Sequence, residues 1–183
     1  DKSMSKKRNK TVPKAKQIKN RVPDAKGYQK EETRAYFTFI YSNWLQSFKN
    51  KDFTTFLRDE SMYGFQMTYL FSYLIPKISE HWQSKLTNAE FKHCHKVKQS
   101  DKSYNKYIQT IKSLHPTIDT KALDIWQFGF KINPMRIICH KENGSNNFIP
   151  LLIDQHHLGN VDKNYNEADY GTYKFCPILN YKK

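Results

Sequence analysis

Three short apolar runs in the last third of the chain, each closed by a turn signal, constrain the fold most. They are "ALDIWQFGFKI", "MRIICHK" and "NFIPLLIDQHHL", and β-branched and aromatic residues fill them. Asn133-Pro134 separates the first pair. Asn143-Gly144-Ser145-Asn146 separates the second, in the manner of a hairpin turn. The simplest topology is an antiparallel meander. "LLIDQHHLGN" ends the third run abruptly in Asp154, two histidines and Gly159.

Upstream the spacing changes. Thr33 is followed by Tyr36, Phe37, Ile40, Trp44, Leu45 and Phe48, which predicts a helix. Asp52 is a candidate N-cap for a short helix through Arg58. A longer apolar segment from Met62 to Ile75 meets Pro76, which interrupts or kinks it. "NAEFKHCHKVK" alternates as a short strand, with Phe91, His93 and His95 on one face. "SDKSYNKYIQTIKSLHP" reads as a helix with an apolar face of Tyr104, Tyr107, Ile108, Ile111 and Leu114, stopped by Pro116. Trp126 or Phe128 is expected to pack against Ile108 and Ile111. The resulting fold class is α+β: N-terminal helices followed by a small antiparallel sheet. Residues 31–183 form a single domain, helical over 31–115 and sheet over 120–183, ending in a tyrosine-rich polar loop and a short apolar stretch. An aromatic content of 15% makes Phe, Tyr and Trp a large part of its core.

The formal charge is +14, and it is uneven. Residues 1–30 hold eleven Lys/Arg against two Asp, a net +9, so the other 153 residues share +5. With Pro13, Pro23 and few apolar residues, this stretch is expected to be a disordered or extended basic arm. Lys6, Lys7, Arg8, Lys10, Lys14, Lys16, Lys19 and Arg21 are its candidate nucleic-acid contacts, because condensing such charges on phosphates releases counterions. An acidic protein or membrane surface, or a solvated tail without a partner, are the alternatives. No apolar run approaches the ~18 residues of a membrane span, and no signal peptide is expected. Three widely spaced cysteines, Cys94, Cys139 and Cys176, fit reduced thiols and a cytoplasmic setting. Gly-rich phosphate loops, serine elbows and motif-spaced carboxylate pairs do not occur, which removes dinucleotide enzymes, triad hydrolases and kinases.

The quoted runs "LDIWQFGF", "MRIICHKENG" and "FIPLLIDQHHL", preceded by a helix, resemble the core of the RelE/ParE toxin superfamily over about residues 100–158. That resemblance implies an RNA-binding, toxin-type endoribonuclease, metal-independent and without cofactor. It works by general acid–base catalysis on the phosphodiester. The ribosome, an antitoxin or a host nucleoprotein complex is the implied partner. Arg136 matches the strand arginine and becomes the phosphate clamp; His156 or His157 takes the place of a strand-end acid or base. Lys131 and Tyr165 add charge and stacking. Where that superfamily carries a C-terminal Arg, Lys and Tyr cluster, this chain has "DQHHL" and a tyrosine-rich loop. The rival is a non-catalytic protein of a phage or mobile element that binds a host nucleic-acid-processing complex; the Lys, Asn and Tyr bias fits an AT-rich source for either.

Strict alternation along "LLIDQHHL" puts His156 on the face of Asp154 and His157 on the opposite one, so only one of them can face a cleft, and His156 is the one expected to work there. A carboxylate beside an imidazole fixes its tautomer and raises its basicity. "HCH" at 93–95, Cys139-His140, His156-His157 and Cys176 raise the question of zinc, but no C-x-x-C or H-x-x-x-H pair exists. The cysteines are expected as small buried apolar groups, and no metal site is expected.

Overall fold

The computed structural model describes residues 34–51, 53–84, 89–160 and 170–181. The basic arm and Tyr165 lie outside them. The fold is α+β around a five-stranded mixed sheet of order β1-β5-β4-β3-β2. The strands are β1 (Tyr36–Phe37), β2 (His95–Lys96), β3 (Ile125–Phe128), β4 (Arg136–Lys141) and β5 (Asn147–Asp154). β2 to β5 form an antiparallel run, and β1 joins β5 in parallel. The expected meander is therefore β3–β4–β5, turning at the expected Asn-Pro and Asn-Gly sites; Gly144 takes φ 71° there. The sheet also takes in β2, from the segment expected as a short strand, and β1, from a segment expected to be helical.

Helices cover both faces. On one side α1 (Glu60–Tyr69), a π-helical segment (Leu70–Leu74) and α2 (Ile75–His81) follow without a break. Asp59 caps α1, accepting from the Met62 amide at 2.8 Å. Leu70, Leu74 and Ile78 recur at one-turn spacing and are fully buried. Pro76 sits in the first turn of α2, directly after the π segment, so the wider turn takes up the place where the proline lacks a donor. These residues pack with Phe128, Phe130, Ile137, Cys139, Phe148 and Trp82. Trp82, Phe128 and Phe148 meet edge-to-face with centroids 4.8–6.0 Å apart, which is how the aromatic share of the sequence is spent.

On the other side lies α3 (Lys102–Leu114), ended by His115 and Pro116. Tyr107, Ile111 and Leu114 pack on Phe53, Val97, Ile125, Ile138, Leu151 and Leu152. Covered on both faces, β4 and β5 are near-continuous apolar runs rather than alternating ones. A register shift between Ile138 and Cys139 accommodates Pro150. The Leu151 carbonyl accepts instead from His115 Nε2 at 2.7 Å.

Several expectations are corrected. Residues 36–48 give a strand and a 3₁₀ turn (Ser42–Leu45), not a helix, because Tyr36 and Phe37 pair with Asn147 and Phe148. Residues 53–58 are not helical and pair instead as isolated bridges, Lys49 with Thr54 and Leu57 with Phe175. Residues 89–93 form a 3₁₀ turn, so the strand is confined to His95–Lys96. Phe128 is buried, but on the α1–α2 side; Ile125 is the β3 residue that packs with Ile111. Among the described residues, no helix is long and apolar enough to cross a membrane.

Candidate functional site

The register of β4 and β5 sets Arg136 opposite Asp154. Both are buried, at 3% and 0% exposure. Charged groups out of water need partners, and each finds a different set. Asp154 accepts from Tyr107 Oη at 3.1 Å, and from the amides of His156 (3.4 Å), Leu158 (2.9 Å) and Gly159 (2.8 Å). It thereby folds the chain beyond β5 into a turn against α3. Arg136 Nη1 donates to the carbonyls of Asn133 (2.8 Å), Met135 (2.9 Å), Pro134 (3.1 Å) and Phe130 (3.5 Å), gathering the β3–β4 turn. Asn133 is itself held by the Gln66 side chain of α1 at 2.9 Å. Arg136 Nε is buried without a hydrogen-bond partner among the described residues. Burial pulls the guanidinium pKa down, opposed by Asp154 and Tyr107. Burial pushes the Tyr107 hydroxyl well up, with Asp154 adding to it, so Tyr107 is a donor only.

Two glycines make room for this centre. A Cβ on Gly129 would stand 2.4 Å from Arg136 Cδ, and one on Gly159 would stand 2.1 Å from Tyr107 Oη. Close approach, not turn geometry, requires glycine at both.

Two imidazoles join the centre. His93, at the end of the 3₁₀ turn Ala89–His93, and His157 have ring centroids 6.4 Å apart at 79°. Both are half-buried. His157 holds φ at 58°, the left-handed region that costs a non-glycine residue energy and that clusters at functional sites. The His93 imidazole is pushed down to about 4, first by burial, then by the Arg136 charge, Lys92, His157 and His95. It is thus neutral at neutral pH and only weakly basic beside a cation. Burial pushes the hydroxyl of Tyr69 in α1 up to about 12, against the Arg136 charge, which pulls it down.

His156 goes elsewhere. β5 ends at Asp154, so strand alternation does not carry on to the two histidines. His156 is 1% exposed, and its Nε2 meets the Phe56 carbonyl at 2.7 Å, which assigns the proton to Nε2. Its ring stacks on Tyr170 at 4.0 Å and 15°, with Tyr173 edge-on at 5.5 Å. Burial holds its pKa low. It pins the C-terminal segment to the domain.

Of the residues singled out from sequence, Arg136 and His157 both lie near enough to His93 to act on its imidazole. His156 is buried apart from the paired rings, and Lys131 is exposed in the β3–β4 turn. Tyr165 and the arm cations lie outside the described residues. His93, read from sequence only as a possible metal ligand, is the addition; its signal is a histidine two residues from a strand that borders β3. Among the described residues, no three His, Cys, Asp or Glu side chains are placed to hold a metal ion. Cys94, Cys139 and Cys176 are buried and joined in no disulfide.

Fold and site thus define an α+β protein with a mixed sheet between helices and a buried Arg–Asp–Tyr centre flanked by two histidines. Residues 40–183 match the family described as "Uncharacterised protein UU032", and the chain belongs to that family. The "Uncharacterized protein UU032" of Ureaplasma parvum serovar 3 is 33% identical to it over 98% of both chains. No solved structure matches the chain.

Proposed function

We propose that this protein binds RNA and cleaves it by metal-independent general acid–base catalysis, with His93 and His157 as the proton-transfer pair and Arg136 as the cation beside the phosphate. The observation that carries this reading is the pair of imidazoles, edge-to-face with centroids 6.4 Å apart, whose His93 ring feels the charge of the buried Arg136 guanidinium. Cleavage through the ribose 2′-hydroxyl needs one group to take that proton, another to protonate the leaving oxygen, and positive charge at the phosphate. Two rings at this spacing can each reach a different oxygen of one phosphate group. α3 against the β3–β4–β5 meander, with Arg136 on the middle strand, supports the likeness to the RelE/ParE plan. The +9 arm supports a nucleic-acid substrate, and three buried thiols joined in no disulfide fit a cytoplasmic setting.

Purified full-length protein incubated with labelled RNA and chelator, beside His93→Ala and His157→Ala, tests the reading. Each variant is expected to lose about a hundredfold in cleavage rate while still binding RNA. The second reading is a non-catalytic module that occupies a host nucleoprotein complex, and the inward-turned Arg136 Nη1, engaged by four carbonyls, favours it. RNA binding with no cleavage by the parent protein selects that reading. Absence of RNA binding sinks both.

A further inference from the structure

We propose that Phe39 and Phe71 form a stacking platform for the bases of single-stranded RNA, supplied with its strand by the basic arm. The proposal rests on the nucleic-acid reading but not on the cleavage chemistry. Phe39 and Phe71 are 42% and 50% exposed, and their rings meet at 5.9 Å. Phe39 lies on Trp44 at 5.0 Å, and Trp44 is core, 8% exposed. The exposed rings therefore stand on a fixed base rather than swinging on surface side chains. Phe71 belongs to the π-helical segment Leu70–Leu74, whose ends are fully buried. Such segments inside α-helices recur at functional sites. Tyr36 and Ile40, 43% and 59% exposed, extend apolar surface along the same stretch of chain.

The occupant is argued from charge and continuity. Phe39 lies nine residues beyond the arm of residues 1–30, whose net charge is +9. A run of cations close in sequence to exposed aromatic rings is the combination that single-strand binders use. The cations hold the backbone at any sequence, and the rings take successive bases by stacking. Base-paired RNA keeps the faces of its bases stacked inside the helix, so the platform favours single strands over duplex. A second copy of this chain would also cover apolar rings, but +14 on each copy opposes it.

The test uses the full-length chain, a fluorescent uridine-rich 12-mer, and the same strand annealed to its complement. Phe39→Leu and Phe71→Leu keep an apolar side chain without a ring. Each is expected to weaken single-strand binding about tenfold and duplex binding by less than twofold. Phe71→Trp should restore or exceed parental affinity. Photocrosslinking of parental protein to 4-thiouridine RNA, mapped by mass spectrometry, should place adducts on Phe39 or Phe71. Unchanged single-strand affinity in both Leu variants, or adducts confined elsewhere, overturns the platform while leaving RNA binding standing. Loss of self-association in the Leu variants without loss of RNA affinity also overturns it, in favour of a second copy. No RNA binding by the parental protein removes the nucleic-acid reading and the platform with it.

Discussion

Arg136 runs across the Cα of Gly129 so closely that a methyl group there would stand 2.4 Å from Cδ and 2.7 Å from Nη1. The guanidinium reaches the carbonyls of the β3–β4 turn only because that position has no side chain. Gly129→Ala should therefore displace Arg136 and cost about 1–3 kcal/mol, the usual penalty for overpacking. In an Arg136→Ala background the same change should cost far less, since the clash is gone. Urea unfolding of the two singles and the double measures the coupling. Additive costs would show that Gly129 matters for some other reason.

Asp154 and Tyr107 invite a ranked prediction. Tyr107→Phe removes one hydrogen bond to Asp154 and should cost about 1 kcal/mol. Asp154→Ala strands the amides of His156, Leu158 and Gly159 and leaves Arg136 buried without its countercharge. It should cost about 3–5 kcal/mol. Because the lost amide bonds shape the turn that carries His157, amide exchange at 156–159 should also speed up in Asp154→Ala and not in Tyr107→Phe. Equal costs for the two changes would remove Asp154 as the organiser of the turn.

Three histidines set a pH dependence of stability. Burial lowers the pKa of His115 and of His156, and takes His93 down to about 4 with help from Arg136. In the unfolded chain each returns to ~6.5. Between these values the unfolded state binds more protons, so stability is full above about pH 6.5 and falls as pH drops toward 4. Thermal unfolding from pH 7.5 to 4.5 should show a falling midpoint, and His156→Gln should flatten the fall. A midpoint that rises on acidification contradicts the assignment.

How much of this was legible in the sequence depends on whether the deciding interaction is local. α3 was, because Tyr107, Ile111 and Leu114 repeat at helical spacing and Pro116 ends it. The β3–β5 meander was too, through Asn-Pro and Asn-Gly. β1 was not. The aromatics from Tyr36 to Phe48 suit a helix as well as a strand, and pairing with distant Asn147 and Phe148 decides between them. Period-two reading likewise shows which residues of β3 share a face, but not which helix covers it, and the expectation that Trp126 or Phe128 packs on α3 fails because both lie on the α1–α2 side. The site was half legible. Arg136 stands out as a lone cation between apolar residues, whereas the approach of His93 to His157 is purely tertiary. His156 was misplaced because alternation was extended past Asp154, whose side chain bends the chain out of the strand.

Deleting residues 1–30 removes +9 of the +14 charge, and the consequence is measurable without knowing any sequence preference. An arm touching six phosphates contributes a slope of about −5 to log K against log salt on duplex DNA, and somewhat less on single strands. The truncated protein should bind RNA more weakly at low salt and with a flatter slope. Identical affinity and slope in a salt titration would mean that the arm serves something other than nucleic acid.

The adjacent histidines of "DQHHL" end in different environments, and that difference separates two substitutions that look alike in sequence. His156 is clamped between Tyr170 and the Phe56 carbonyl, 1% exposed. His156→Ala should open a cavity, leave the Phe56 carbonyl unpaired and cost about 2–4 kcal/mol. The C-terminal residues 170–181 should loosen with it, seen as faster proteolysis. Any cleavage activity should survive at temperatures where the variant stays folded. His157 is half-buried and strained at φ 58°. His157→Gly relieves that strain and should leave stability unchanged or raise it by up to about 1 kcal/mol. Its cleavage rate should nevertheless fall about a hundredfold if the imidazole transfers a proton. A variant that gains stability and loses activity cannot be explained by damage to the fold. The opposite pattern, activity lost in folded His156→Ala and kept in His157→Gly, would return the catalytic role to the buried ring and dismantle the pairing with His93.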